Sequence, residues 1–164
     1  RQRYSLGGAG NIANNVVTRL NHLFDYEFGE QSLVHIRSWD FRLAPPTVVP
    51  RGQLAAPSLA QVNVSDAVFA ILNNKVGRVT RQELCLAFTR RKNGEHVDVS
   101  VVVAAYRTTN DAARFVGAIN RKFDEQIIFQ QYEDDLEFQA SCFVALNKMC
   151  LQFLFGSPEF GAGP

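Results

Sequence analysis

The sequence lacks most of the features that would settle a functional class outright. It has no excess of either charge: 17 Lys and Arg stand against 16 Asp and Glu, a formal +1. That balance removes the usual electrostatic argument for a nucleic-acid binder, because phosphate recognition needs a basic footprint. Three cysteines, Cys85, Cys142 and Cys150, are an odd number at spacings that match no zinc pattern. They read as buried or free thiols of a reducing compartment, which points to the cytoplasm. No apolar run approaches the ~20 residues that cross a bilayer, so no spanning segment and no membrane partner are expected. There is no initiating Met and no signal-peptide pattern, and no internal repeat or low-complexity tract.

What is present is ordinary globular material. Of 164 residues 46% are hydrophobic and 20% charged, a composition that excludes global disorder. A chain of this length buries about 70% of its unfolded surface in one core. Residues 1–156 are expected to form a single domain cut from a longer protein. The segment from Ser157 to Pro164 reads as a vector-encoded tail.

Along the chain, strand and helix signals alternate. Arg3-Tyr4-Ser5-Leu6 is a strand candidate that stops at Gly7-Gly8-Ala9-Gly10. Asn11 then caps a helix carrying Ile12, Val16, Leu20, Leu23 and Phe24 at helical spacing. Ser32 to Trp39 alternates as a second strand, and Pro45, Pro46, Pro50 and Pro57 mark a long irregular loop of the kind that often binds ligands. A short helix over Ser58–Val64 leads into the apolar strand Asp66–Leu72. Asn73–Val79 is a polar turn, and Thr80 with Glu83 has the spacing of a capping box. A β-branched strand over Val97–Tyr106, a helix from Thr109 or Asn110 to Phe123, a strand over Gln126–Tyr132 and a helix over Glu133–Phe155 complete the chain. Five alternations predict an α/β fold, a doubly wound sheet of about five parallel strands with helices on both faces. Ligands in such sheets bind beyond the carboxyl ends of the strands.

Those ends supply the candidate site. Gly7 and Gly8 would let backbone amides approach a phosphate at a helix N-terminus, with Asn11 beside them. Trp39 would stack on a base or nicotinamide ring, and Arg42 would meet a phosphate. Glu83, in the first turns of the helix after the third strand, is placed to stabilise positive charge developing at an anomeric carbon. A bland alternative stands beside it, in which Glu83 only completes the cap. His22, His35 and His96 are too dispersed for a metal site or a nucleophile–base pair.

The run Ser65 to Ala87, with its Ser65-Asp66 pair opening a strand and Glu83 in the next helix, resembles the corresponding strand-loop-helix of TIR (Toll/interleukin-1 receptor-type) and TIR-like domains. It is similar also to the nucleoside 2-deoxyribosyltransferases. The resemblance implies a flavodoxin-like fold, and an effector that cleaves the N-glycosidic bond of NAD or a related nucleotide. Glu83 would be the key carboxylate, with Gly7, Gly8, Asn11, Trp39, Arg42, Asn73 and Arg78 around the substrate. NAD would be substrate rather than cofactor, and no cofactor is called for. The other reading is a non-catalytic interaction or oligomerisation module of the same fold.

The last helix carries two apolar stripes. Leu136, Ala140, Phe143, Asn147, Cys150, Leu151 and Leu154 are expected to face the sheet. Phe138, Cys142, Ala145, Met149 and Phe153, half a turn round, are then left for a second copy or a neighbouring domain.

Overall fold

The computed structural model describes residues 6–28, 34–37, 50, 53, 55–72, 76–104, 110–124, 130–132 and 134–155. The element order is α1 (Leu6–Phe28), α2 (Ala56–Val64), β1 (Ala67–Leu72), α3 (Arg78–Lys92), β2 (Asp98–Ala104), α4 (Asn110–Phe123), β3 (Gln130–Tyr132) and α5 (Asp135–Phe155). The chain divides into two compact units, one of residues 39–134 and one of residues 1–38 with 135–164.

The first of these units is built on parallel strand pairing. Ala67 of β1 is in register with Asp98 of β2 and Leu72 with Val103, while Val102 to Ala104 pair with Gln130 to Tyr132 of β3. The order is β1-β2-β3, so both crossovers step in the same direction. Crossovers of one hand then place their helices on one face, and the packing agrees. Ala70, Leu72 and Val101, alternate positions of β1 and β2, share a core with Leu84 and Phe88 of α3 and Phe115, Val116, Ile119 and Phe123 of α4. Phe88 stacks on Phe123 at 5.6 Å between ring centroids. Val101 and Val102 are both buried, so β2 is covered on both faces, which is why its sequence shows no alternation.

Helix ends in this unit follow local chemistry. Pro57 sits in the first turn of α2, where its missing N–H costs nothing. At the far end the Arg90 guanidinium of α3 donates to the Val62 and Ser65 carbonyls and to Glu95, satisfying acceptors the helix leaves open. The end of α3 is a full reversal: Glu95 N–H donates to the Arg90 carbonyl and Gly94 N–H to that of Arg91. Gly94 has φ +87°, the left-handed conformation this Schellman arrangement requires.

The other unit pairs two long helices. α1 and α5 pack on each other, and their covered faces repeat at three- and four-residue steps: Val16, Val17, Leu20 and Phe24 on α1, and Phe138, Cys142, Ala145, Leu146, Met149 and Cys150 on α5. The Asn21 side chain receives the Ile36 N–H at 2.8 Å and donates to its carbonyl at 3.0 Å, so one amide holds a backbone position as a neighbouring strand would.

Four expectations are corrected by the structure. The described residues form five helices and a three-stranded parallel sheet, not a five-stranded doubly wound one with helices on both faces. Gly7-Gly8-Ala9-Gly10 and Asn11 are not a loop after a strand but the first turns of α1. Glycine costs up to about 1 kcal/mol per helical position, yet a helix anchored by a buried stripe extends cooperatively past such residues. Val34 to Arg37, within the expected second strand, carry no strand pairing; Arg3–Ser5, Ser32, Leu33, Ser38 and Trp39 lie outside the described residues. The fourth concerns α5, which is long and apolar enough to cross a membrane by length and composition. A core helix passes the same test.

Two substitutions check this backbone reading. Gly94→Ala is expected to lower stability by about 1–2 kcal/mol, the cost of a Cβ in the left-handed region. Gly8→Ala, where an added Cβ meets nothing within 4 Å, is expected to raise it by roughly 0.5–1 kcal/mol. Denaturant melts of the two variants give the opposite signs directly, and equal signs would contradict the assignment of Gly8 to a helix.

Candidate functional site

At the carboxyl edge of the sheet, α3 starts after Val76-Gly77 and α4 starts at Asn110. One carboxylate ties these two starts together. Asp111 accepts the Val76 N–H at 2.9 Å on one oxygen and Arg81 Nη2 at 2.7 Å on the other. Arg81 in turn donates from Nε to the Val76 carbonyl at 3.0 Å, and its guanidinium lies 4.8 Å from the Phe115 ring centroid. The ring of contacts closes the β1–α3 connection onto α4. The Val76 amide holds the Asp111 carboxyl below its usual range of about 3.8, with the Arg81 and Arg114 charges adding to the effect and partial desolvation opposing it. An acidic residue in the first turn of a helix, as at Asp111, was the one signal for this clamp in the sequence. Its pairing with Arg81, thirty residues away, was not visible.

The predicted site residues do not converge. Arg78 and Glu83 both lie on α3, Arg78 exposed at its first position and Glu83 half-buried in its second turn. At 100° per residue they are about 140° apart round the helix. Glu83 shares a stripe with Ala87 and Arg90, the side that meets α2. The expected capping box is absent, because α3 begins at Arg78 with Gly77 as its N-cap and no side-chain cap. That start places Thr80 two residues inside the helix. Gly7, Gly8 and Asn11 belong to α1, in the other compact unit. Trp39, Arg42 and Asn73 lie outside the described residues.

The remaining reactive groups are quiet. Among the described residues no group of three or more His, Cys, Asp or Glu is placed to hold a metal ion. Cys142 and Cys150 are buried, and burial pushes their thiols up, Cys142 to about 12, so neither supplies a thiolate nucleophile near neutral pH. His22, His35 and His96 are exposed and scattered.

The surface is more distinctive than any cleft. Among the described residues, exposed large apolar side chains concentrate on the helical pair: Leu23, Tyr26 and Phe28 on α1, and Leu136, Phe143, Val144, Leu151, Phe153 and Phe155 on α5. Only Val64 and Val79 lie elsewhere. This reverses the expectation for α5. Most of the stripe expected to face the sheet is open, Leu136 at 76% and Phe143 at 40%, although its Cys150 is buried; most of the stripe expected to be free is buried, Phe138 and Cys142 at 0%, although its Phe153 is 55% exposed.

The clamp has a pH signature. Asp111 has a depressed native pKa, so it contributes stability above the ordinary carboxyl value, and that contribution is lost as the pH falls below about 3.8. Asp111→Asn is therefore expected to melt below the wild type at neutral pH, with the two curves converging in acid. A gap that stays constant across the titration would mean the carboxylate's charge is not what holds the loop. In comparisons with known proteins, no family model, no curated protein and no solved structure matches the chain.

Proposed function

We propose that this chain is an assembly module whose α1/α5 unit docks a protein surface. The observation that carries the reading is the concentration of exposed apolar side chains on those two helices, nine of the eleven among the described residues. Exposed apolar side chains concentrated on one unit mark an interaction site. An aromatic side chain buries roughly 150–250 Å². Covering Phe143, Phe155, Leu136, Val144 and Leu151 thus removes on the order of 500 Å² per copy, approaching the ~800 Å² per partner of a standard interface.

Association is expected to depend on concentration, with a midpoint in the micromolar range, as sedimentation velocity would show. Phe143→Asp should weaken it while leaving the melting curve unchanged, because that side chain is open. Phe138→Asp should instead unfold the helical pair, since a buried charge without a partner costs several kcal/mol. A monodisperse monomer at all concentrations, indifferent to Phe143→Asp, would sink the reading.

A second reading is supported by the segment Ser65–Ala87, whose described residues include a strand and a helix as the resemblance requires. In it Glu83 stabilises the departure of nicotinamide from NAD or a similar nucleotide. The check is mass-spectrometric analysis of NAD incubated with concentrated protein. Nicotinamide release should vanish in Glu83→Ala, a change at a half-buried helix position expected to cost about 0.5–2 kcal/mol and to leave the chain folded, and no release by the wild type would end this reading.

A further inference from the structure

Spacing along the open face of α5 carries more than the fact of exposure. Ala140, Phe143 and Leu151 are exposed and Asn147 and Leu154 half-buried, and the five follow one another at steps of three, four, four and three, a sequence symmetric about Asn147. At 100° per residue all five lie within about 40° of Asn147 on the helix surface. Phe138, fully buried, lies half a turn away. A stripe that reads the same in both directions from one residue is self-complementary under a twofold axis through that residue, which is the condition for an isologous interface.

We infer that the occupant of this face is a second copy of the chain, its α5 running antiparallel to the first about a twofold axis at Asn147; the inference rests on the docking role proposed above. Phe143 then meets Leu151 of the other copy, and Ala140 meets Leu154, a small residue against a larger one at each outer layer. Asn147 faces its own counterpart, where each amide has both a donor and an acceptor to offer. Charge selects the direction. Asp135 and Glu137 make the first turn of α5 acidic, and its last turn carries no base. A parallel pair would set two acidic turns side by side. The antiparallel pair separates them by about 30–36 Å at 1.5 Å per residue and opposes the helix dipoles. Asn147 has a specificity role: a polar residue inside an apolar seam fixes register and the number of helices at some cost in strength.

Cysteine cross-linking tests the geometry on the whole chain, with wild type as the control for Cys85, Cys142 and Cys150. An equimolar mixture of Ala140→Cys and Leu154→Cys chains should form a mixed disulfide under mild oxidation, and Asn147→Cys should cross-link to itself. Ala140→Cys alone should not. Asn147→Leu should tighten association by about tenfold and admit species beyond two copies, whereas Phe143→Asp should weaken it at least about 30-fold, as for an aromatic anchor. Circular dichroism melts confirm that each variant is folded. Self-cross-linking of Ala140→Cys would overturn the antiparallel axis while leaving the docking role intact. Flotation of the wild type with phosphatidylcholine vesicles, abolished by Phe143→Asp, would replace the second copy by lipid. A wild type that never associates would remove both the geometry and the role beneath it.

Discussion

The unit of residues 39–134 depends on one constraint: the apolar surface of a short parallel sheet must be covered, and on one face the crossover helices supply that cover. Parallel neighbours are not joined by a tight turn, so each pair of strands brings a helix. With the order β1-β2-β3 both helices arrive on one face, and their apolar residues make a single cluster with Ala70, Leu72 and Val101. The Asp111–Arg81–Val76 contacts follow from this. Two helices starting side by side at the same sheet edge present one carboxylate and one guanidinium at bonding distance. The clamp is thus a product of the topology and also a brace for it.

The same topology bears on the candidate catalytic reading. Ligand crevices in open α/β sheets form where neighbouring crossovers diverge to opposite faces. The sequential order of the three described strands shows no such divergence. Glu83 lies on the stripe of α3 that meets α2, and Arg78 is turned well away from it. The helical pair, by contrast, presents an apolar surface that water does not favour and that a protein partner would remove. For this reason the weight of the functional argument falls on α5.

The paired helices also show how one helix can be read correctly in its periodicity and wrongly in its direction. α5 has two apolar stripes, and composition does not distinguish them. Ala140, Phe143 and Leu151 are no less hydrophobic than Phe138, Cys142 and Met149. The buried stripe has Phe138 and Cys142 at 0% exposure, in a helix that packs with the face of α1 bearing Val16, Leu20 and Phe24.

By itself the sequence determined the elements whose signals are local. β-Branched density predicted β2, apolar continuity predicted β1, and α2, α4 and α5 were legible within a residue or two. The start of α3 was less legible: a Thr-x-x-Glu pattern suggested a cap at Thr80, while the helix is capped three residues earlier, at Gly77. The glycine run at the amino end was misread for a related reason. Glycine signals a break only when nothing else holds the chain, and α1 is held by its packing with α5. Strand order, the side of the sheet each helix covers, the meeting of Arg81 with Asp111, and which stripe of α5 stays open were decided by the tertiary structure alone. Each depends on which distant surfaces come together, and that choice is made by the sum of buried area over the whole unit rather than by the preference of any single segment.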